Sequence, residues 1–300
     1  MDQETEWKPF FARRNSAAEE EFTRLHDGVP AWLNESLWEW LSQSVSIFRS
    51  TRDRGYWDPN EATLRRLERT LQISTTWQGD GREYSDRLAG LRLFRTAVYK
   101  HPDKFLSAVD YQLSQLSPTD GGCTSLETIL TESSSAWRVG IVAGKPGLVE
   151  RIDATVQSAA EDLALKGDQA GRLLADAWRH AFSLARDPSA AYRCAVRAVE
   201  AAAGPIISPR DSTRTLGKMI SAFRDKPEKW SFSFTVDSTV SPKDVLLSML
   251  QVLWTNEYSR HVDADTQAPL HVSQEEAESA VALALTLVTW FSSGAVRPVQ

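Results

Sequence analysis

The chain has 300 residues, enough for one large or two ordinary domains, and its 42% hydrophobic and 25% charged residues are those of a globular protein. A formal net charge of −6 argues against generic affinity for nucleic acid and confines any such surface to a local basic patch. The longest apolar run, AVALALTLVTWF at 280–291, is roughly a dozen residues, against about twenty for a membrane span, so a buried helix is expected there and no membrane partner.

The opening MDQETEWKPFFARRNS is charged where a signal peptide needs an apolar core. The two cysteines, Cys123 and Cys194, form neither a framework nor a C-x-x-C. Both observations fit a reduced, cytoplasmic setting, with each cysteine a small buried hydrophobe.

Helical signals dominate from the start. Ser16 and Glu19 have capping-box spacing and predict a short helix running toward His26. After Pro30, AWLNESLWEWLSQSVSIF places Leu33, Leu37, Trp40 and Leu41 on one apolar face. Asp58-Pro59-Asn60 opens a helix with Leu64, Leu67 and Leu71 in a stripe. Two further helices, 84–100 and 102–116, break at His101-Pro102, and SPTDGGC at 117–123 reads as a loop. WRVGIV (137–142) and LVERI (148–152), flanking AGKPG, are the one convincing β signal and predict a small hairpin. Its glycines and lysine lack the G-x-x-x-x-G-K-[ST] spacing of a phosphate loop.

Helices are then expected at 155–166, 168–186, 189–203, 213–225, 241–256 and 273–293. WSFSFTVDSTV (230–240) alternates and fits either an extended segment or a packed loop. Ser273 and Glu276 form a second capping-box pair, opening a helix apolar nearly all round and hence central to its bundle. The expected fold is mainly α: an N-terminal helical region at 1–120, a connecting helix and β-hairpin at 121–153, and a C-terminal helical bundle at 154–300.

Three features bear on chemistry. Within 189–229 the eight Lys/Arg (Arg193, Arg197, Arg210, Arg214, Lys218, Arg224, Lys226, Lys229) outnumber four acids. The first five of these are the candidate nucleic-acid-binding residues. Glu200 sits among small apolar residues beside a seam of Val196, Val199, Ala203 and Ile207. A carboxylate there needs a partner or a raised pKa: either an ion pair with Arg197 or a neighbouring helix, or a place facing the polar segment 256–272. That segment, expected as a loop, carries Arg260, His261, Asp263, Asp265 and His271. Two imidazoles and two carboxylates suggest a metal, but their spacing matches no established site, so neither metal nor cofactor is expected.

DPSAAYRCAVRAVEAAAGPIISP, STRTLGKMISAF and RHVDADTQAPLHVSQEEAESAVALALTLVTWF together resemble the C-terminal domain of abortive-infection (Abi-C type) proteins, bacterial proteins linked to phage defence. The Ala-Val-Arg-Ala-Val-Glu run resembles the first helix of HEPN domains. The resemblance covers roughly residues 124–296. It implies a HEPN-like bundle, dimerisation and, in many members, metal-independent RNA cleavage. An arginine and a histidine four to six residues apart carry that chemistry, the histidine taking the 2′-hydroxyl proton and the arginine stabilising charge on phosphate. Here Arg260 and His261 are adjacent and His271 lies too far along. Arg95 and His101 have the family's spacing but fall outside the matching region. Two function classes follow. One is an RNA-cleaving or RNA-binding effector using Arg260, His261 and Glu200. The other is a non-catalytic scaffold or interaction module, with itself, a phage-derived protein or a host protein as partner.

Overall fold

The computed structural model describes residues 8–50, 55–152, 154–165, 167–211, 213–233, 241–262 and 272–299, the side chains of 154, 155, 157, 161, 164, 165 and 255–262 excepted. The chain divides into two compact units, Met1–Arg151 and Ile152–Gln300. It is mainly α-helical with small antiparallel hairpins. No helix among the described residues is long and apolar enough to cross a membrane.

The first unit begins with α1 (Ser16–Thr23) and α2 (Ala31–Ser44). Asn15, not Ser16, caps α1 through a side-chain bond from the Ala18 amide, which displaces the expected box by one residue. On α2, Leu33, Leu37 and Leu41 are completely buried on the predicted face. The helix stops short of the expected Phe48, and β1 (Ser46–Ser50) follows, paired antiparallel with β2 (Gly55–Pro59). The hydroxyl of Ser46 donates to the Ser42 carbonyl at 2.6 Å, where a helical amide would otherwise bond. This hairpin was not expected from the sequence.

Next come α3 (Glu61–Leu71), α4 (Tyr84–Tyr99), α5 (Pro102–Leu113) and α6 (Gly121–Glu132), then β3 (Trp137–Val142) and β4 (Lys145–Glu150). β3 and β4 form the predicted hairpin, turning at Ala143-Gly144, both at positive φ as a tight two-residue turn requires. Lys145-Pro146-Gly147 belongs to β4 rather than to the turn. Together with α6 this hairpin packs into the first unit. The Val139 amide donates to Glu127 of α6 at 2.6 Å, and the Leu148 amide to Asp110 of α5 at 2.7 Å.

In the second unit, α7 (Ala154–Leu165), α8 (Gln169–Phe182), α9 (Pro188–Ile207) and α10 (Leu216–Asp225) precede a short strand, β5 (Trp230–Phe232). Then follow α11 (Pro242–Val262), α12 (Gln274–Ser292) and β6 (Val296–Pro298), which pairs with β5. Ser273 and Glu276 complete the capping box of α12 reciprocally. α12 packs on α8 and α9, burying Ala277, Val281, Ala284 and Val288. Ala282, Thr286 and Thr289 remain exposed, so the helix lines the core on one side and is not encircled by it. Its two threonines carry that solvent stripe.

Candidate functional site

α9 organises the second unit. Asp187 caps it by accepting from the Ala190 amide, and Pro188 supplies the first helical residue. Ala191, Ala195, Ala198 and Ala203 are buried, and these short side chains allow the close packing of α9 on α8 and α12. Val196, Val199, Ala203 and Ile207 are all buried, the seam expected from the sequence.

Glu200 stands half-buried beside that seam. Its Oε1 accepts the Leu216 backbone amide at 2.7 Å. Leu216 is the first residue of α10, whose own cap residue, Thr215, makes no side-chain cap bond. A carboxylate from another helix therefore performs the capping, where the orphan amides and the helix dipole favour negative charge. Burial pushes the Glu200 carboxyl above its ordinary value, while the Leu216 amide and the Arg197 charge pull it back. Of the two expectations, the ion pair with Arg197 is not formed among the described residues, and the carboxylate is committed to a backbone donor.

Glu200 opens onto a cleft of about 380 Å³ lined also by Gln169, Arg197, Ala201, Pro205, Asp211 and Arg214. Pro205 lies inside α9 and has no amide hydrogen, so the Ala201 carbonyl lacks its usual helical donor. Two of the five candidate nucleic-acid-binding residues line this cleft, Arg197 and Arg214. Arg197 is exposed and its side chain makes no hydrogen bond to another described residue. Arg214 is partly committed, its Nε donating to the Asp211 carbonyl at 2.9 Å and its Nη2 to that of Pro209 at 3.1 Å. Lys218 likewise ties down the 208–215 loop, reaching the Asp211 carboxylate at 3.3 Å and the Thr213 carbonyl at 3.1 Å. The Thr213 amide, first among its partners, holds the Asp211 carboxyl below its ordinary value.

Arg193 lies one turn before Arg197 on α9 and is exposed. Both arginines, with Arg179 of α8, lie within electrostatic reach of the half-buried Cys194, whose thiol burial pushes up. Burial, followed by the Arg179 charge, pushes the neighbouring His180 imidazole below its ordinary value. Arg193 and Arg197 thus stand as exposed cations one turn apart on α9, while Arg179 of α8 is paired with Asp176 at 3.1 Å. Arg210 is exposed on the loop and does not line the cleft.

Arg260 and His261 fall in the last turn of α11, which runs to Val262, and not in the loop expected from residue 256 onward. Their side chains, together with Asp263, Asp265 and His271, lie outside the described residues. Glu200 is therefore the one catalytic candidate with a described environment, and that environment is a helix cap beside a basic cleft.

The sequence reading did not single out Gln169, Asp211 or the Leu216 amide. A partial signal was present for Asp211: Pro209-Arg-Asp-Ser-Thr is turn chemistry, and its Oδ1 accepts the Thr213 amide at 2.8 Å. Comparison with protein-family models, curated proteins and solved structures gives no match. The cleft must be read from its own chemistry.

Proposed function

We propose that this chain is a defence-associated protein of the abortive-infection type whose second unit binds RNA at the cleft between α8, α9 and the 208–215 loop. The observation that carries the reading is the convergence of Arg197, Arg214 and Glu200 on that one cleft. Arginine guanidinium groups suit phosphate oxygens, and the exposed Arg193, one turn from Arg197, offers a contact for a further phosphate. The Ala201 carbonyl and the Glu200 carboxylate offer acceptors to a ribose 2′-hydroxyl, the group that separates RNA from DNA. The resemblance of residues 124–296 to abortive-infection proteins supports the defence context. Cleavage by Arg260 and His261 is a finer reading that no described side chain supports; binding is the function proposed.

The test is phage challenge of bacteria expressing the wild type or Arg197→Ala at matched protein levels. Protection by the wild type that is lost in the variant is expected. Equal protection by both, or none by the wild type, contradicts the proposal.

A second reading, an interaction module, draws on the first unit. Phe48 and Trp57 pair across β1 and β2, with ring centroids 5.3 Å apart, yet are 57% and 46% exposed. Protection that survives Arg197→Ala but fails in Phe48→Ser would favour that reading.

A further inference from the structure

The first unit contains a second cleft, unrelated to the RNA site. α3 ends with Gln72 in the left-handed region, and the chain continues through Ile73–Gln78 with Ile73, Thr75 and Trp77 buried. Thr76 is held at φ 58, a region that a β-branched residue rarely adopts and that here serves no glycine turn. The loop is fixed from behind. Arg65 stacks on the Trp77 ring at 4.0 Å and donates to the Trp77 carbonyl at 3.1 Å.

Facing this loop are the end of α4 and the start of α5, enclosing about 400 Å³. The cationic or ionisable groups of the lining are Lys100, Lys104 and His101, and among the described residues the lining contains no carboxylate. Lys104 donates to the Gln72 carbonyl at 2.9 Å, which positions its ammonium against the loop and leaves two further donors. Lys100 is exposed and makes no side-chain hydrogen bond to another described residue. Ser74 adds a hydroxyl, whereas the Thr75, Thr76 and Thr96 hydroxyls already donate to the Glu68 carboxylate and to the Thr75 and Arg92 carbonyls. Ile73, Leu93 and Ala97 form an apolar wall.

Positive groups with no carboxylate among the described lining residues, a serine hydroxyl and one apolar wall in a cleft of small-molecule size suit one ligand class. We infer that this cleft binds a small phosphorylated molecule of mononucleotide size. Lys100 and Lys104 take the phosphate, the Ser74 hydroxyl orients it, and Leu93 and Ile73 cover the apolar ring.

The experiment is isothermal titration of the full chain with AMP and, separately, inorganic pyrophosphate, at ionic strength held constant with sodium chloride. Wild type, Lys100→Gln, Leu93→Ala and Arg197→Ala are compared. Saturable binding is expected, weakened about tenfold or more by Lys100→Gln, which removes one charge contact from an exposed position and spares the fold. Leu93→Ala should weaken AMP several-fold and leave pyrophosphate unchanged. Arg197→Ala should change neither. No saturable binding of either probe overturns the inference, as does a response insensitive to Lys100→Gln. Loss of binding in Arg197→Ala would also overturn it, by moving the ligand to the second unit.

Discussion

The Glu200 carboxylate accepts the Leu216 backbone amide at 2.7 Å, so a side chain on α9 caps the start of α10. The same contact fixes one wall of the basic cleft. Glu200→Ala leaves that amide without its acceptor and should cost about 1 to 2 kcal/mol. Glu200→Gln keeps a carbonyl acceptor and should recover most of the loss. Urea denaturation of both variants checks this; equal losses would show that the amide contact is not what matters.

Asp110 and Glu200 share a direction of titration. Burial raises both carboxyls above their ordinary values, against one backbone amide bond in each case. A raised carboxyl binds its proton more tightly in the folded state, so its contribution favours folding below the ordinary carboxyl range. That contribution declines as pH rises through the folded value. Asp110→Asn keeps an acceptor for the Leu148 amide, carries no charge to bury, and should stabilise the chain at neutral pH by about 1 kcal/mol. Thermal melts across pH 4 to 8 test it. A variant no more stable at pH 8 than the wild type would count against the argument.

Asp58 runs the other way. It is 4% exposed and takes Arg87 at 2.8 Å and Arg49 at 2.7 Å. The Arg87 hydrogen bond, opposed by burial and aided by Arg49, lowers its carboxyl below the ordinary value. Its contribution is therefore complete above the ordinary carboxyl value and lost as pH falls through the lowered one. Asp58→Asn should cost about 2 to 3 kcal/mol at pH 7, less than a fully buried pair because Arg49 is largely solvated. The penalty should shrink on acidification. A penalty independent of pH would contradict the charge argument.

Gly90 lies in α4 directly under the Trp77 indole, where an added Cβ would sit 2.7 Å from ring carbons. Helix propensity alone favours Gly90→Ala by about 1 kcal/mol, but overpacking a pinned ring costs about 1 to 3 kcal/mol. Trp77 is held by Arg65 on another side, so the clash should win and the variant should melt lower. A stabilised Gly90→Ala would mean that the indole can give way.

If the cleft binds RNA without cutting it, a defined RNA incubated with the wild type should be recovered at full length. Among the described residues the lining contains no imidazole, and one Glu200 oxygen is already engaged. Fragments formed by the wild type and absent with both Arg260→Ala and His261→Ala would transfer the chemistry to the end of α11.

The parts of the fold legible in the sequence were those set by local signals. Ser273 and Glu276 announce α12 because a capping box is complete within four residues. Val196, Val199 and Ala203 define the buried side of α9 by spacing alone. The β1–β2 pairing was hidden because Phe48 finds Trp57 on the partner strand, while the preceding leucines and tryptophans read as continuous helix. α11 outran its expected end because NEYSRHV is polar, and polarity does not stop a helix whose backbone bonds are internal. The partner of Glu200 was invisible for a different reason. It is a backbone amide, and every non-proline residue offers one.

The direct measurement is the affinity of the full chain for one single-stranded RNA and the DNA of the same sequence, at several salt concentrations, for wild type and Arg197→Ala. We predict tighter binding of the RNA. In Arg197→Ala the salt slope should fall by about 0.7 for the lost phosphate contact. Equal affinity for RNA and DNA, or a slope unchanged in Arg197→Ala, would contradict the assignment of this cleft.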